Sequence, residues 1–124
     1  MGVKWIEKVE ESGSAILFPN YLMTNKEFKN KFDGKYSALT GLDDENDLII
    51  LKPLTLDEDL DAKYQNSLKL KINMQRSYIR FGNTKAVSLI ASLIHVDVPK
   101  SGLKGVSHWD DKLEALVVDL GGKK

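Results

Sequence analysis

The residues best suited to chemistry in this 124-residue chain form a basic cluster near its middle. Over residues 68–81 apolar and polar residues alternate, a pattern typical of two strands joined by a short turn. Successive strand side chains point to opposite faces, so one face of this predicted hairpin is apolar and the other polar. The polar face carries five residues that suit a polyanion: Lys69, Lys71, Arg76, Tyr78 and Arg80.

This face suits nucleic acid in particular, because cations surround an aromatic ring and both arginines of the chain lie in it. Lysine and arginine neutralise phosphates, and arginine also reads guanine edges or stacks on bases. A two-stranded ribbon can enter a major groove or lie along a phosphate backbone. We therefore predict a DNA-binding face. The alternative is a solvated sheet surface whose long side chains cover apolar area.

Motifs for catalysis or cofactor binding are absent from the sequence. It has no cysteine, no Gly-x-Ser-x-Gly elbow, no Gly-x-x-x-x-Gly-Lys phosphate loop and no dinucleotide fingerprint. Its two histidines occur in His-x-Asp pairs at 95–97 and 108–110, where the aspartates are typical of turns. We predict that the protein is not an enzyme and has no metal site and no cofactor.

The composition is that of a globular domain, with 42% hydrophobic and 29% charged residues. No apolar run reaches the roughly 18 residues of a membrane span, and the N-terminus is charged where a signal peptide is apolar. We expect a cytoplasmic protein that makes no membrane contact. The net charge is zero but polarised, at −2 over residues 1–52, −3 over 53–67 and +5 over 68–124. The basic part contains the predicted DNA-binding face.

The order of predicted elements occurs twice along the chain. In the first unit, strands are predicted at Trp5–Val9 and Ala15–Phe18, followed by a helix. A capping box at Thr24–Glu27 would begin this helix. Strands at Tyr36–Thr40 and Leu48–Leu51 close the unit.

The second unit has the same order of elements. After the basic hairpin, Asn83 is predicted to cap a helix that runs to about Ile94. The apolar stripe of this helix is predicted to be Ala86, Leu89, Ile90 and Leu93. Strands at Gly105–Trp109 and Leu116–Leu120 follow. An offset of 67 residues aligns the two predicted aspartate turns, Asp43-Asp44 and Asp110-Asp111, and an offset of 63 places Trp5 on Leu68.

These elements predict an α+β fold made of two ββαββ repeats. The repeats span residues 1–54 and 68–124, with an exposed acidic linker at 55–67 that contains at most one helical turn. One unit is too small to bury a good core alone. We therefore expect the two to form one globular unit around a pseudo-twofold axis, with the hairpins of one completing the sheet of the other. A monomer with this internal axis and a homodimer both remain open.

Two parts of the first unit resemble the AbrB family. Ile6–Gly13 and Ile16–Pro19 are similar to its opening strand, acidic turn with glycine, and aliphatic run ending in proline. Leu42–Lys52 resembles its closing hairpin, and two units in one chain resemble the tandem arrangement of MraZ-like members. This resemblance implies a pseudo-dimeric swapped-hairpin barrel and a DNA-binding transcription regulator, or the antitoxin of a toxin–antitoxin pair.

The first unit matches the fold of the family better than its DNA-reading surface. It contains no arginine, residues 20–24 after the proline are uncharged, and the Asp-x-x-x-Arg signature of MraZ-like members is missing. We therefore predict that this protein is a DNA-binding regulator and that it contacts DNA through the basic hairpin of its second unit. The alternative is a protein-interaction module on the same fold, antitoxin-like or an adaptor. It would bind a protein partner through the acidic linker at Asp57–Asp61, an exposed sheet edge or Trp109.

Overall fold

A computed structural model of the chain describes Gly2 and residues 13–43, 45–82 and 84–120. Within these residues lie eight strands: β1 (Gly13–Leu17), β2 (Leu22–Asn25), β3 (Ser37–Asp43), β4 (Leu48–Leu54), β5 (Lys69–Met74), β6 (Tyr78–Phe81), β7 (Leu103–Asp110) and β8 (Ala115–Asp119). All neighbouring strands are antiparallel and close into one barrel, in the order β1-β2-β6-β5-β3-β4-β8-β7.

Three short helices accompany the barrel: α1 (Lys29–Phe32), α2 (Leu56–Asp59) and α3 (Thr84–Leu93). Single 3₁₀ turns lie at Lys26–Phe28 and Ala62–Tyr64. None of the helices in the described ranges is long and apolar enough to cross a membrane. The predicted Trp5–Val9 strand and the predicted cap Asn83 lie outside the described residues.

The strand order has an internal twofold correspondence. When β1–β4 are exchanged with β5–β8 in chain order, every pair of neighbours becomes another pair of neighbours. Thus β1 pairs with β7, and its counterpart β5 pairs with β3. In the hairpins β3–β4 and β7–β8, Asp43 lies opposite Leu48 and Asp110 opposite Ala115, a shift of 67 residues. This shift equals the offset predicted from the two aspartate turns.

The first hairpins correspond at a different offset from the predicted one. Ala15 lies opposite Thr24 between β1 and β2, and Ile72 lies opposite Phe81 between β5 and β6. Both members of the pair are therefore shifted by 57 residues, whereas the sequence predicted 63. The reason is that β1, at the position of the second predicted strand, takes the place equivalent to β5.

The predicted capping box at Thr24 is wrong. Thr24 is a buried residue of β2, where it lies opposite Ala15 on one side and Ile79 on the other. Asn25 caps the following 3₁₀ turn instead, because its Oδ1 accepts a hydrogen bond from the Glu27 N–H at 3.3 Å. A β-branched residue that faces a packed interior suits a strand better than a helix terminus.

A tight turn that the sequence analysis missed connects β1 to β2. The Phe18 N–H donates to the Tyr21 carbonyl at 2.8 Å, and Pro19 and Asn20 lie between them. Proline presets the backbone for the first central position of such a turn, and asparagine is common at turns. The proline therefore ends β1 and also reverses the chain into β2.

The core of the protein is continuous. It consists of the inward side chains of the strands and the buried faces of two helical segments, residues 26–32 and α3. Phe28 and Phe32 are buried, and the Phe32 ring meets Phe81 edge-on at 5.1 Å. Because β2 and β6 are antiparallel, the helical segments that follow them leave from opposite ends of the barrel. Both ends of the core are therefore approached by apolar side chains.

The buried face of α3 differs from the predicted stripe. Ile90 is buried as expected, but Val87 is also buried, while Leu89 and Leu93 remain 47% and 48% exposed. The helix is therefore rotated so that positions 87 and 90, followed by Ile94, face the core. Both sets of positions have helical spacing, so periodicity alone did not distinguish them.

The predicted linker is ordered, and its helix docks on the barrel. Thr55 Oγ1 accepts from the Glu58 N–H at 3.2 Å, and Glu58 Oε1 accepts from the Thr55 N–H at 2.8 Å, which completes a capping box. Asp59 Oδ1 accepts from Ser37 Oγ at 2.7 Å and lies 3.4 Å from Lys69 Nζ. These contacts hold α2 against β3 and β5.

One glycine is required by a close approach of two strands. A Cβ on Gly105 of β7 would lie 2.5 Å from the Asp119 carbonyl oxygen and 2.8 Å from a methyl group of Leu120. Gly41 of β3 provides a comparison, since a Cβ there would meet only the Ile50 Cβ, at 3.8 Å.

We predict that Gly105→Ala lowers the free energy of unfolding by about 2–4 kcal/mol, because the new methyl group collides with backbone atoms that the barrel fixes. Gly41→Ala is the matched control and should leave the stability unchanged or raise it by up to about 1 kcal/mol. Urea denaturation measures both. Equal losses in the two variants would contradict the close approach at Gly105.

The capping box of α2 predicts a pH-dependent stability. The hydrogen bond from the Thr55 backbone lowers the pKa of Glu58 below its ordinary value of 4.5, and the charges of Lys35 and Lys52 add to this. A carboxyl group with a lowered folded-state pKa stabilises the fold above its unfolded pKa, and this contribution is lost as the pH falls through the folded pKa. The difference in unfolding free energy between wild type and Glu58→Gln should therefore be largest above about pH 4.5 and narrow in more acidic solution. Urea denaturation over a pH series tests this, and a difference independent of pH would count against it.

Candidate nucleic-acid interface

The predicted basic face lies on the outer wall of the barrel. Ile79 and Phe81 of β6 are fully buried, so the alternating residues Tyr78 and Arg80 face outward. Lys71 is exposed on the neighbouring strand β5, and Arg76 is exposed in the turn that joins the two strands. The structure thus brings these four predicted residues to one surface.

Lys69, the fifth predicted residue, has a structural partner. Its Nζ lies 3.4 Å from the Asp59 carboxylate and donates to the Asp59 carbonyl at 2.9 Å. Only 19% of the side chain is exposed. The charge of Lys69 is therefore compensated, and the residue fastens α2 to the barrel at the edge of the basic face.

The hairpin is part of a closed wall. On its outer flanks, β6 pairs with β2 and β5 pairs with β3. A ribbon with neighbours on both sides does not insert into a major groove in the way that a projecting ribbon does. The closed wall therefore does not provide the projecting ribbon that the first of the two predicted docking modes requires.

Tyr21 is a member of this surface that the sequence analysis did not identify. The Arg80 guanidinium carbon lies 4.0 Å from the centroid of the Tyr21 ring, and the Phe18 ring lies 5.0 Å from that ring. The contact arises because β2 brings Met23 opposite Arg80. The turn residues Pro19 and Asn20 could have predicted that a second strand follows β1. They contain no information on the pairing of that strand, β2, with β6.

Lys29 adds a second cation beside the hairpin turn. Its Nζ donates to the carbonyl of Arg76 at 2.9 Å, which ties α1 to the turn between β5 and β6. Lys29 is not among the predicted binding residues. The contact places an ammonium group next to the Arg76 backbone, at the end of the basic face.

The barrel order separates the charges on the outer wall. The described strands β1, β2, β6 and β5 are consecutive around the barrel, and none of them contains Asp or Glu. The other four strands include Asp43, Asp110 and Asp119. These four neighbouring strands form a continuous sector of the wall. Although the net charge of the chain is zero, no described strand of this sector has a carboxylate beside Lys71, Arg76 and Arg80.

The two histidine pairs do not form a cluster of metal ligands. Within the part of the chain that the structure describes, no group of three His, Asp or Glu side chains could hold a metal ion. His95 lies just after α3 with a backbone φ of 57°, and His108 lies opposite Val117 in the pairing of β7 with β8.

Comparison with known proteins gives no relative for this chain. No protein-family model, no curated protein and no solved structure matches it.

The stacking of Arg80 on Tyr21 can be measured by a double-mutant cycle. We predict that Tyr21→Leu and Arg80→Gln, combined and separate, show a coupling energy of about 0.5–1 kcal/mol, as for an exposed cation–π pair. Urea denaturation of the four proteins provides the cycle. The pair Tyr64 and Lys63, whose ring and ammonium lie 5.0 Å apart on an exposed turn, is a comparison at longer distance. A coupling of zero for Arg80 and Tyr21 would show that the ring does not hold the guanidinium.

Proposed function

We propose that this protein binds DNA through the outer surface of β1, β2, β6 and β5 and acts as a transcription regulator rather than an enzyme. The observation that carries this proposal is that four consecutive described strands contain no Asp or Glu, while the Asp59 carboxylate at the edge of β5 is already paired with Lys69. Phosphate binding depends on uncompensated positive charge, and nearby carboxylates would oppose it. The arginines and the exposed lysine of the hairpin occupy this sector.

Contact with DNA is mainly electrostatic in this proposal. Lys71, Arg76 and Arg80 neutralise phosphates, and Lys29 contributes at the end of the face. Stacking on Tyr21 restricts the Arg80 guanidinium before binding, so less side-chain entropy is lost when it meets a phosphate or a base edge. With about four phosphates neutralised, the logarithm of the affinity should fall with the logarithm of the salt concentration at a slope of about −3 to −4.

We further propose that the barrel is an AbrB-like swapped-hairpin barrel made of two repeats. The twofold correspondence of the strand order and the shared offset of the closing hairpins support this proposal. In such a tandem chain the second unit contributes most of the charged contacts to DNA. The first unit contributes β1 and β2, which extend the surface without adding carboxylates.

A protein-interaction module is the second candidate, and α2 supplies its best surface. Leu56 and Leu60 of this segment are 49% and 64% exposed, with the carboxylates of Asp57 and Asp61 beside them. A basic partner with an apolar surface would suit this combination. The predicted sheet edge does not serve this function, because each described strand has two neighbours in the closed barrel.

Fluorescence anisotropy with a labelled random duplex tests the DNA-binding proposal. We predict saturable binding at low salt that weakens steeply toward physiological salt. The double variant Arg76→Gln/Arg80→Gln should bind about 10- to 100-fold more weakly and show a salt slope smaller by about 2.

The control is Lys100→Gln/Lys112→Gln, which makes the same change in net charge at two exposed lysines that flank β7. This control should bind almost as tightly as the wild type. Equal weakening in both double variants would show that net charge rather than the proposed face governs binding. The absence of binding by the folded wild type at low salt would reject the proposal and leave the partner surface on α2 to be tested.

A further inference from the structure

A second basic site lies in a concave pocket away from the proposed DNA-binding strands. The pocket has a volume of about 300 Å³. It is formed by the α1 segment, the end of β4, α2, the end of β7 and the turn that follows β7. Its charged and aromatic lining comprises Lys31, Lys35, Lys52, Glu58, Trp109 and Glu114. A volume at the lower end of the range for small-molecule sites suits a compact ligand, or one part of a larger ligand.

One of the two carboxylates in this lining already has partners. Glu58 Oε1 accepts the backbone hydrogen bond from Thr55 that completes the cap of α2. The neighbouring charges of Lys35 and Lys52 favour its ionised form. Glu58 is therefore held by its own helix, and its charge lies within Coulombic range of Lys35 and Lys52.

The other carboxylate is held weakly. Glu114 Oε1 lies 3.7 Å from Lys52 Nζ, and the Glu114 side chain is 77% exposed. Exposed pairs of this kind contribute little to stability and are screened by salt. A stronger anion can therefore replace Glu114 at Lys52, which leaves three lysines facing the pocket against the one engaged carboxylate.

Trp109 supplies an aromatic wall to this cationic pocket. Lys31 Nζ lies 4.9 Å from the centroid of its ring, and the Phe32 ring meets it edge-on at 6.4 Å and 88°. Packing by Phe32 restricts the indole, and the residue still lines the cavity. A flat ligand can stack on this partly exposed ring by displacing the Lys31 ammonium that lies over it.

We propose that this pocket binds a nucleoside phosphate, with its phosphates at Lys35 and Lys52 and its base against Trp109. Ammonium groups bind phosphate as point charges, and a nucleobase stacks on an indole without sequence-specific contacts. This binding is independent of the proposed DNA function, because none of the pocket residues belongs to β1, β2, β6 or β5. It gives the protein a small-molecule site that could serve as an effector site.

The test uses Trp109 as its own reporter. The chain has two tryptophans, so Trp5→Phe leaves Trp109 as the single indole. Adenosine triphosphate, tripolyphosphate and adenosine are titrated at low salt, with calorimetry on the unsubstituted protein as a second measurement. We expect saturable binding of adenosine triphosphate with a change in Trp109 fluorescence. Its affinity should exceed that of either tripolyphosphate or adenosine, since only the intact nucleotide uses both parts of the site.

Charge substitutions then identify the pocket. Lys35→Gln and Lys52→Gln should each raise the Kd about 5- to 10-fold, while Glu114→Gln should lower it about 2- to 5-fold by removing the competing carboxylate. Lys100→Gln and Glu45→Gln repeat these charge changes at exposed residues outside the pocket and should have no effect. Arg76→Gln/Arg80→Gln should keep the nucleotide affinity of the wild type, which separates this test from that of DNA binding.

Three results would overturn the proposal. The first is the lack of saturable adenosine triphosphate binding in both fluorescence and calorimetry. The second is tripolyphosphate binding as tightly as the nucleotide, which would reduce the site to a simple anion site without a role for Trp109. The third is a Glu114→Gln variant that binds no more tightly than Glu45→Gln.

Discussion

Closure of the barrel by four strand pairings between the two halves of the chain is the constraint on which the rest of this protein depends. The pairs are β1 with β7, β2 with β6, β3 with β5 and β4 with β8, so hairpins from the two halves alternate around the wall. A half chain alone would leave unpaired backbone groups at strand edges and a core covered on one side. Closure of the barrel pairs these strand edges and also covers the core, because it encloses the inward side chains of all eight described strands.

The same closure determines the chemistry of the outer wall. β1 and β2 come from the acidic first part of the chain, yet they contain no carboxylate and lie next to β6 and β5 of the basic part. The separation of charge is therefore a product of strand order rather than of sequence segments. One lysine of the wall has a structural role instead of a binding role, because the charge of Lys69 pairs with Asp59 and holds α2 in place. The fold thus selects which cations of the hairpin remain available to a partner.

Local patterns in the sequence were sufficient for most strands but not for their partners. The alternation that predicted the β5–β6 hairpin and the outward position of Arg80 agrees with the structure, because one face of that hairpin is buried. The capping-box spacing of Thr24 and Glu27 predicts a helix start where the structure has β2. The true capping box, Thr55 with Glu58, lay in a segment predicted to be a linker. Identical spacing has opposite outcomes at these two places, since Thr24 is buried in the barrel and Thr55 is partly exposed at its surface. The stacking of Arg80 on Tyr21 and the lining of the Trp109 pocket depend on pairings between distant strands, which no local pattern contains.

The pairing of Gly13 with Ser107 has a consequence for how the protein is made. During synthesis β1 leaves the ribosome long before its partner β7, so the edge of β1 that pairs with β7 stays unpaired until β7 emerges. Contacts between residues so far apart in sequence fold slowly, because the entropy of closing the long loop is lost before the pairing is gained. Native structure around β1 is therefore completed late, after the final hairpin has emerged. Hairpins with short turns can form within each half of the chain before synthesis is complete. The pairing of β1 with β7 forms only when the two halves join, so we expect this joining to be the slow step of folding.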